Sequence, residues 1–385
     1  MESQQSGESL LDVISRRVLA SGPITVAEMM QIALYHPRLG YYSKGPAIGP
    51  RGDFTTSPEA SPAFARLLAR HVSEIDGLLG HPAPFHLVEC GPGLGTLPLG
   101  VLDTLKSAHP SLYERLRYWL VEVSPALIAR QRERLLPEHE GVADWKGSLD
   151  EMPMGLSGAL LANEFVDALP VHVLENRQGD ILEQYVAAGE QGLHFVYDSP
   201  SSPDLLGFLR RYNITLEPGQ RVEINLAASD WIRHMGAVFE RGVATIIDYG
   251  DTAPARYSEQ RKEGTLLAYY QGKVSPDILA HPGEQDITAL VDFTALQDEA
   301  IACDFQVVGL TRQAPFLVGL GLGTDEPTQG RGDDLPGAME DRRGMHALVS
   351  MQGLGQFHVL VLGKGVDSEV ARQRLSGLRY AHLLG

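Results

Sequence analysis

Two carboxylates and an amide stand close together in the run Ala162-Asn163-Glu164-Phe165-Val166-Asp167-Ala168-Leu169-Pro170. Asn163 offers both a donor and an acceptor. Glu164 and Asp167 suit a cation, and the planar fork of a guanidinium matches carboxylates bidentately. They are the candidate catalytic residues. In the competing reading, Asn163 and Asp167 only cap a turn ahead of Pro170. A second cluster is Leu87-Val88-Glu89-Cys90-Gly91-Pro92-Gly93-Leu94-Gly95-Thr96, an apolar run entering a turn with a glycine at every second position. Gly91, Gly93 and Gly95 have no Cβ, so a bulky ligand can approach their backbone closely. Glu89 stands just ahead of that turn. Glu122 ends the next apolar run, where an acid can accept two hydrogen bonds from the ribose hydroxyls of an adenosine. A plain tight turn and a surface carboxylate are the competing readings of these two features.

These residues need a sheet to bring them together. Phe85 to Glu89, Tyr118 to Val123, Val142 to Lys146 and Gly158 to Ala162 read as strands. Thr96 to Ser107 and Ala126 to Leu136 read as helices between them, the second opened by the cap pair Ser124-Pro125. This alternation predicts a parallel sheet. The glycine turn, Glu122 and the Asn163 run then lie outside the carboxyl ends of the strands, where ligands bind in open α/β sheets. Ahead of this core, Leu10 to Leu19 and Val26 to Leu34 have helical spacing. A helix from Pro62 to Leu79 should bury Phe64, Leu67, Leu68, Val72 and Ile75. After Pro170 the pattern becomes a meander at Val171 to Asn176, Ile181 to Ala187 and Leu193 to Tyr197, with a linker-like tip at Pro200 to Pro203. Leu226 to Arg241 reads as a helix. Strands follow at Val243 to Asp248, Thr265 to Tyr270, Phe305 to Leu310 and Phe357 to Leu362. Gly319 to Gly344, rich in Gly, Asp and Arg, reads as a surface loop. The expected division is residues 1–80 for N-terminal helices and an active-site loop, 81–170 and 221–365 for the core, 171–220 for a β-meander insertion, and 366–385 for a helical tail.

Composition narrows the class. With 43% apolar and 21% charged residues, the 385-residue chain can bury a sizeable core and does not look disordered. A formal charge of −17 argues against a nucleic-acid binder, which needs a basic footprint. Cys90 and Cys303 form no disulfide framework and lack metal spacing, so no metal is expected. No run reaches the ~18 apolar residues of a membrane span. The polar start, with Glu2 and Glu8, lacks the marks of a signal or transit peptide, and a cytoplasmic protein is expected.

The dinucleotide fingerprint G-x-G-x-x-G puts its third glycine where this chain has Thr96, which disfavours an NAD oxidoreductase. The G-x-G-x-G form is that of Rossmann-like S-adenosylmethionine-dependent methyltransferases. Further segments make the resemblance specific. They are Gly40-Tyr41-Tyr42-Ser43, Gly52-Asp53-Phe54-Thr55-Thr56-Ser57-Pro58-Glu59, the glycine turn from Glu89 to Leu97, Glu122-Val123-Ser124-Pro125, the Asn163 to Pro170 run, Asp248-Tyr249-Gly250, Gly264-Thr265-Leu266, and Pro282 to Thr288 with Val291-Asp292-Phe293. From about residue 10 to 365 the chain resembles the MidA family, bacterial and mitochondrial relatives of the complex I assembly arginine methyltransferase. The resemblance implies a Rossmann-like class I methyltransferase core with a smaller accessory helical/β region. It implies S-adenosyl-L-methionine as cofactor, with Glu89, Gly91, Gly93, Gly95, Glu122 and Asn163 around it. It places Asp53, Phe54, Thr55 and Asp286 at the substrate or a lid, although Asp286 could simply cap a helix after Ile287. It implies a protein substrate, possibly a complex I subunit, methylated on arginine; the alternative is a non-catalytic assembly factor that keeps the fold. Leu94 and the stretch Tyr270-Gln271-Gly272-Lys273 depart from the family's usual basic residues.

Overall fold

The computed structural model describes residues 8–45, 55–324 and 335–383. Packing divides the chain into two units. One comprises Ala47–Asp167, Ser229–Asp251 and Val291–Gly385; the other comprises Met1–Pro46, Ala168–Ala228 and Thr252–Leu290. The helix Pro62–Leu79 therefore goes with the core, and 252–290 goes with the meander.

The first unit is built on seven strands: β1 (Phe85–Cys90), β2 (Leu116–Val121), β3 (Ala143–Lys146), β4 (Leu156–Asn163), β5 (Phe239–Asp248), β6 (Phe305–Arg312) and β7 (His358–Lys364). They lie in the order β3-β2-β1-β4-β5-β7-β6. The first five are mutually parallel, and β7 runs antiparallel to both β5 and β6. The winding reverses between β1 and β4, which pair with Glu89 opposite Leu161 and Cys90 opposite Ala162. Such a reversal opens a crevice at the carboxyl edge of the sheet. The middle stretches of the central strands, such as Ala159 to Ala162 and Val359 to Leu362, are apolar runs because both their faces are covered.

Helix α1 (Pro62–Leu79) covers one face. Ser61 caps it by accepting the Ala63 N–H, Pro62 sits at its first position, and Gly80 ends it left-handed at φ 77°. Its expected face is buried: Phe64, Leu67, Leu68, Val72 and Ile75 are each 0–1% exposed. Helices α2 (Thr96–Ala108) and α3 (Pro125–His139) follow β1 and β2 as crossovers, and Leu97, Val101, Leu105 and Leu135 join α1 in one core.

Three local expectations need correction. The helix from Leu226 ends at Val238 rather than Arg241, because Phe239 already pairs with Leu156 in the sheet. Pro200 to Pro203 is no linker, since Ser202 caps a helix, Pro203–Arg211. Most of the loop expected over 319–344 that lies among the described residues is helical: Gln313–Gly319 runs into a turn, and Leu335–Val349 is a helix. Its low propensity is overridden by packing. Leu348 is fully buried, and a Cβ on Gly344 would lie 2.0 Å from the Ala60 carbonyl oxygen, so the glycine lets the helix seat closely.

The second unit is a twisted antiparallel sheet in which Asp180–Gly189 pairs with His172–Arg177, Gly192–Asp198 and Ile24–Thr25. A three-stranded sheet accompanies it, with Leu267–Tyr270 between Lys273–Ser275 and Asp286–Thr288. Glu223, on the strand Arg221–Ile224, is buried at 1% exposure. That carboxylate accepts the Thr265 and Leu266 N–H groups at 2.8 and 3.3 Å, the Thr265 hydroxyl at 2.7 Å and Arg256 Nη2 at 3.3 Å. Gly264 stands at φ 76°, and a Cβ there would be 2.1 Å from Glu223 Oε1. The Gly264-Thr265-Leu266 motif is thus a backbone cradle for a buried carboxylate. No helix among the described residues is long and apolar enough to cross a membrane.

Candidate active site

The turn after β1 needs each of its glycines for a different reason. All three are left-handed, with φ 69° at Gly91, 52° at Gly93 and 80° at Gly95, a region costly for residues with a Cβ. A Cβ on Gly91 would lie 2.9 Å from the Phe165 ring. A Cβ on Gly95 would press on Gln131, 3.3 Å from Cγ and 3.4 Å from Cα. A Cβ on Gly93 would meet nothing within 4 Å. The outer glycines admit protein, and the middle one faces open space. Helix α2 starts directly beyond, so its first amides point at the turn.

Glu89, expected at the cofactor, is only 2% exposed and accepts the Tyr118 hydroxyl. Loss of hydration pushes its carboxyl up to about 8, against the lowering effect of the Tyr118 bond. Its carboxyl group is engaged within the sheet.

Glu122, just beyond β2, is 7% exposed. Its Oε1 accepts the Ser124 N–H at 2.8 Å and its Oε2 accepts Gln131 Nε2 at 3.3 Å. Burial raises its carboxyl above the ordinary value, opposed by these bonds. Each carboxylate oxygen can take a further donor. Gln131 was not singled out by sequence reasoning. Its Nε2 also donates to the Gly93 carbonyl at 2.7 Å, and its Oε1 accepts Trp145 Nε1 at 2.8 Å. The signal was present: Gln131 shares the buried stripe of α3 with Leu127 and Leu135, and a polar side chain in such a stripe needs a partner.

Beyond β4 the candidate catalytic run is held by a residue outside it. Asp248, at the end of β5 and fully buried, accepts three successive amides on Oδ2: Phe165 at 3.2 Å, Val166 at 2.9 Å and Asp167 at 3.2 Å. Its Oδ1 accepts the Tyr249 N–H at 2.8 Å. Glu164 is left-handed at φ 51°, an uncommon conformation for a residue with a Cβ and one concentrated at functional sites. Its Oε1 accepts the Ser57 N–H at 2.9 Å and Asn163 Nδ2 at 3.0 Å. Some of its surface remains accessible, yet loss of hydration dominates and pushes its carboxyl up to about 7, against those bonds. Asp248 is also pushed up, first by burial and then by the negative charge of Glu164. Asn163 Oδ1 is buried with no hydrogen-bond partner. Asp167 is 8% exposed, with its N–H on Asp248. The backbone of this turn is held by Asp248, whose carboxylate accepts the three amides that follow Glu164.

The remaining expected residues are distributed differently. Thr55 is exposed, while Asp53 and Phe54 lie outside the described residues. Asp286 belongs to the other unit. It caps no helix: it starts a strand, is 2% exposed, and accepts the Tyr42 hydroxyl at 2.8 Å and the Ile287 N–H at 2.9 Å. The cap of the helix Phe293–Ala302 is Asp292.

Residues 67–311 match the model of a family described as "Putative S-adenosyl-L-methionine-dependent methyltransferase". The chain belongs to this methyltransferase family. It is 33% identical to the mitochondrial protein arginine methyltransferase NDUFAF7 homolog of Drosophila melanogaster, covering 74% of this chain and 68% of that protein. It is 31% identical to the mitochondrial protein arginine methyltransferase NDUFAF7 of Homo sapiens, covering 80% and 72%. A protein from Burkholderia thailandensis, solved with S-adenosyl-homocysteine bound, shares the fold with a TM-score of 0.83 at 29% identity, covering 93% of this chain and 92% of that one. These matches overturn the expected cytoplasmic location, since the relatives are mitochondrial proteins; the absence of leader features near Glu2 and Glu8 is no guide to location.

The methyltransferase uses S-adenosyl-L-methionine, and its residues fit that group. Open space over Gly93, an unpartnered buried acceptor at Asn163 Oδ1 and a carboxylate at Glu122 with room for further donors all lie at the carboxyl edge of β1, β2 and β4. A methionine ammonium, a ribose diol and an extended sulfonium chain need these types of partner.

Proposed function

We propose that this methyltransferase transfers methyl groups to an arginine side chain of a protein partner, and that the partner is a subunit of respiratory complex I. Glu164 carries the reading. It is a carboxylate held in a strained backbone beside the glycine turn, with its carboxyl pushed up to about 7. The relatives named as protein arginine methyltransferases support the substrate class.

The bound cofactor supplies an electrophilic methyl group on a sulfonium that is already a leaving group, so the protein's task is alignment, exclusion of water and removal of one proton. Asn163 Oδ1 would accept from the ammonium group of the cofactor, Glu122 would accept from its ribose, and the open space at Gly93 would let it lie against the turn. Glu164 orients the guanidinium through charge-assisted hydrogen bonds. It takes the proton that the nitrogen loses on methylation, and its partial exposure lets that proton pass to water. Asp167 is the second carboxylate at this edge and steers the cation.

The test is mass spectrometry of methylated arginines on complex I subunits in the native cell, with the wild-type protein and with Glu164→Gln. One or more arginine sites methylated only with the wild-type protein are expected. A methylation pattern identical in both cells, with complex I assembled normally, refutes the reading. Normal assembly with no methylation in either cell marks the chain as a non-catalytic assembly factor.

A further inference from the structure

Gln131 touches the glycine turn and the acidic residue beyond β2 at the same time. Its Nε2 carries two hydrogens. One goes to the Gly93 carbonyl at 2.7 Å and one to Glu122 Oε2 at 3.3 Å. Its Oε1 is occupied by the Trp145 indole N–H at 2.8 Å. The indole has no acceptor, so it fixes which end of the amide faces it. The NH2 end must then face Gly93 and Glu122. The side chain is fully buried, and it comes this close only because Gly95 has no Cβ: one there would lie 3.4 Å from the Gln131 Cα and 3.3 Å from its Cγ. The third glycine of the turn is therefore a clearance for α3, not for ligand.

We infer that Gln131 is a positioning residue for the cofactor: with Trp145 behind it, its amide fixes the Glu122 carboxylate relative to the glycine turn and so sets the site's preference for a ribose diol. The inference rests on the reading of Glu122 as the ribose acceptor. Two neighbouring hydroxyls demand a carboxylate in one orientation. The Ser124 N–H holds one oxygen and Gln131 holds the other. Without Gln131 the carboxylate keeps its backbone donors but loses the one side-chain donor that fixes its second oxygen relative to the turn, and Gly93 loses the partner of its carbonyl. The rest of the ligand, from its adenine to its methionine end, does not depend on that orientation.

The experiment measures the dissociation constants of S-adenosyl-homocysteine and of its 2′,3′-dideoxy analogue by calorimetry, using the full-length chain. The wild-type protein is expected to favour the diol by about tenfold or more, since a site built to hydrogen-bond a hydroxyl rejects the ligand that lacks it. Gln131→Leu, close in volume, should lose most of this discrimination while binding the dideoxy analogue within about twofold of wild type. An equal loss for both ligands makes Gln131 a merely structural residue and overturns the proposal, as does discrimination left intact. If Gln131→Leu does not fold, Trp145→Phe decides. It keeps both Nε2 bonds but frees the amide to turn over, and a discrimination reduced by about threefold is expected; an unchanged ratio overturns the proposal. Glu122→Ala separates the two layers. Discrimination that survives it refutes the ribose reading of Glu122. Discrimination lost with Glu122→Ala but kept with Gln131→Leu refutes only the role of Gln131.

Discussion

Asp248 fixes the backbone that carries Glu164. One of its oxygens accepts the Phe165, Val166 and Asp167 amides in succession, and Glu164, immediately before them, stands left-handed at φ 51°. The end of β5 thereby determines the shape of the segment after β4. Asp248→Ala leaves four amides without this acceptor, those of Val166 and Asp167 buried and those of Phe165 and Tyr249 partly so, and each buried unsatisfied donor costs about 1–3 kcal/mol. A loss of about 3 kcal/mol or more is expected in urea unfolding, with Asp248→Asn intermediate because one oxygen is retained. Equal stability of all three proteins would show that water replaces the carboxylate at no cost.

Glu164 gives stability a definite dependence on pH. Its carboxyl is raised from an ordinary 4.5 to about 7, so between these values the folded protein holds a proton that the unfolded chain has released. The group's contribution is therefore fully present below the unfolded value and is lost as pH rises through about 7. Glu164→Gln, neutral throughout, should lessen the fall in unfolding free energy across that window, leaving the part that comes from Asp248 and Glu89, which burial also raises. Methyl transfer should behave oppositely, increasing as Glu164 ionises near pH 7, and this limb should disappear in the variant. Unfolding and rate profiles measured from pH 4.5 to 8 check both signs.

Gly93 differs from its neighbours in the turn because nothing in the protein occupies the space beside it. Gly93→Val should leave a folded protein, destabilised by about 1–2 kcal/mol for the left-handed backbone, that binds S-adenosyl-homocysteine at least tenfold more weakly in calorimetry. An unchanged dissociation constant would place the cofactor away from the turn.

In the other unit, Gly264→Ala drives a methyl group to 2.1 Å from Glu223 Oε1 at a φ of 76°. The substitution must displace a buried carboxylate that is paired with Arg256, and breaking such a pair costs about 3–5 kcal/mol. A thermal midpoint several degrees lower is the expected result in a calorimetric scan. Gly272→Ala, also left-handed but in open space, is the control that carries only the backbone cost.

The strands and helices of the core were legible because their periodicity is strong and their caps lie in sequence: Ser61-Pro62 and Ser124-Pro125 mark α1 and α3 within a residue or two. The glycine turn and Glu122 were legible because backbone freedom and strand-end carboxylates leave local signatures. Asp248 was legible as part of the Asp248-Tyr249-Gly250 motif but not as the acceptor of three amides in another segment, and Gln131 left only the mark of a polar residue in a buried helix stripe. The helix Leu335–Val349 was missed for a related reason: Gly344, a loop signal by propensity, is required by a contact with Ala60. Asp286 drew notice only through its motif, and its hydrogen bond from Tyr42, 244 residues away, left no mark in the sequence.

The bond from Trp145 to Gln131 gives this protein an optical gauge. The chain contains three tryptophans, and this one ends a relay that runs through one amide to Gly93 and Glu122. Indole emission responds to the strength of its N–H bond and to the polarity around the ring, and Arg132 stands 4.9 Å over this ring. Occupation of the ribose acceptor proposed at Glu122 should polarise the relay and shift the emission of Trp145, which would let cofactor loading be followed in the native protein without a label.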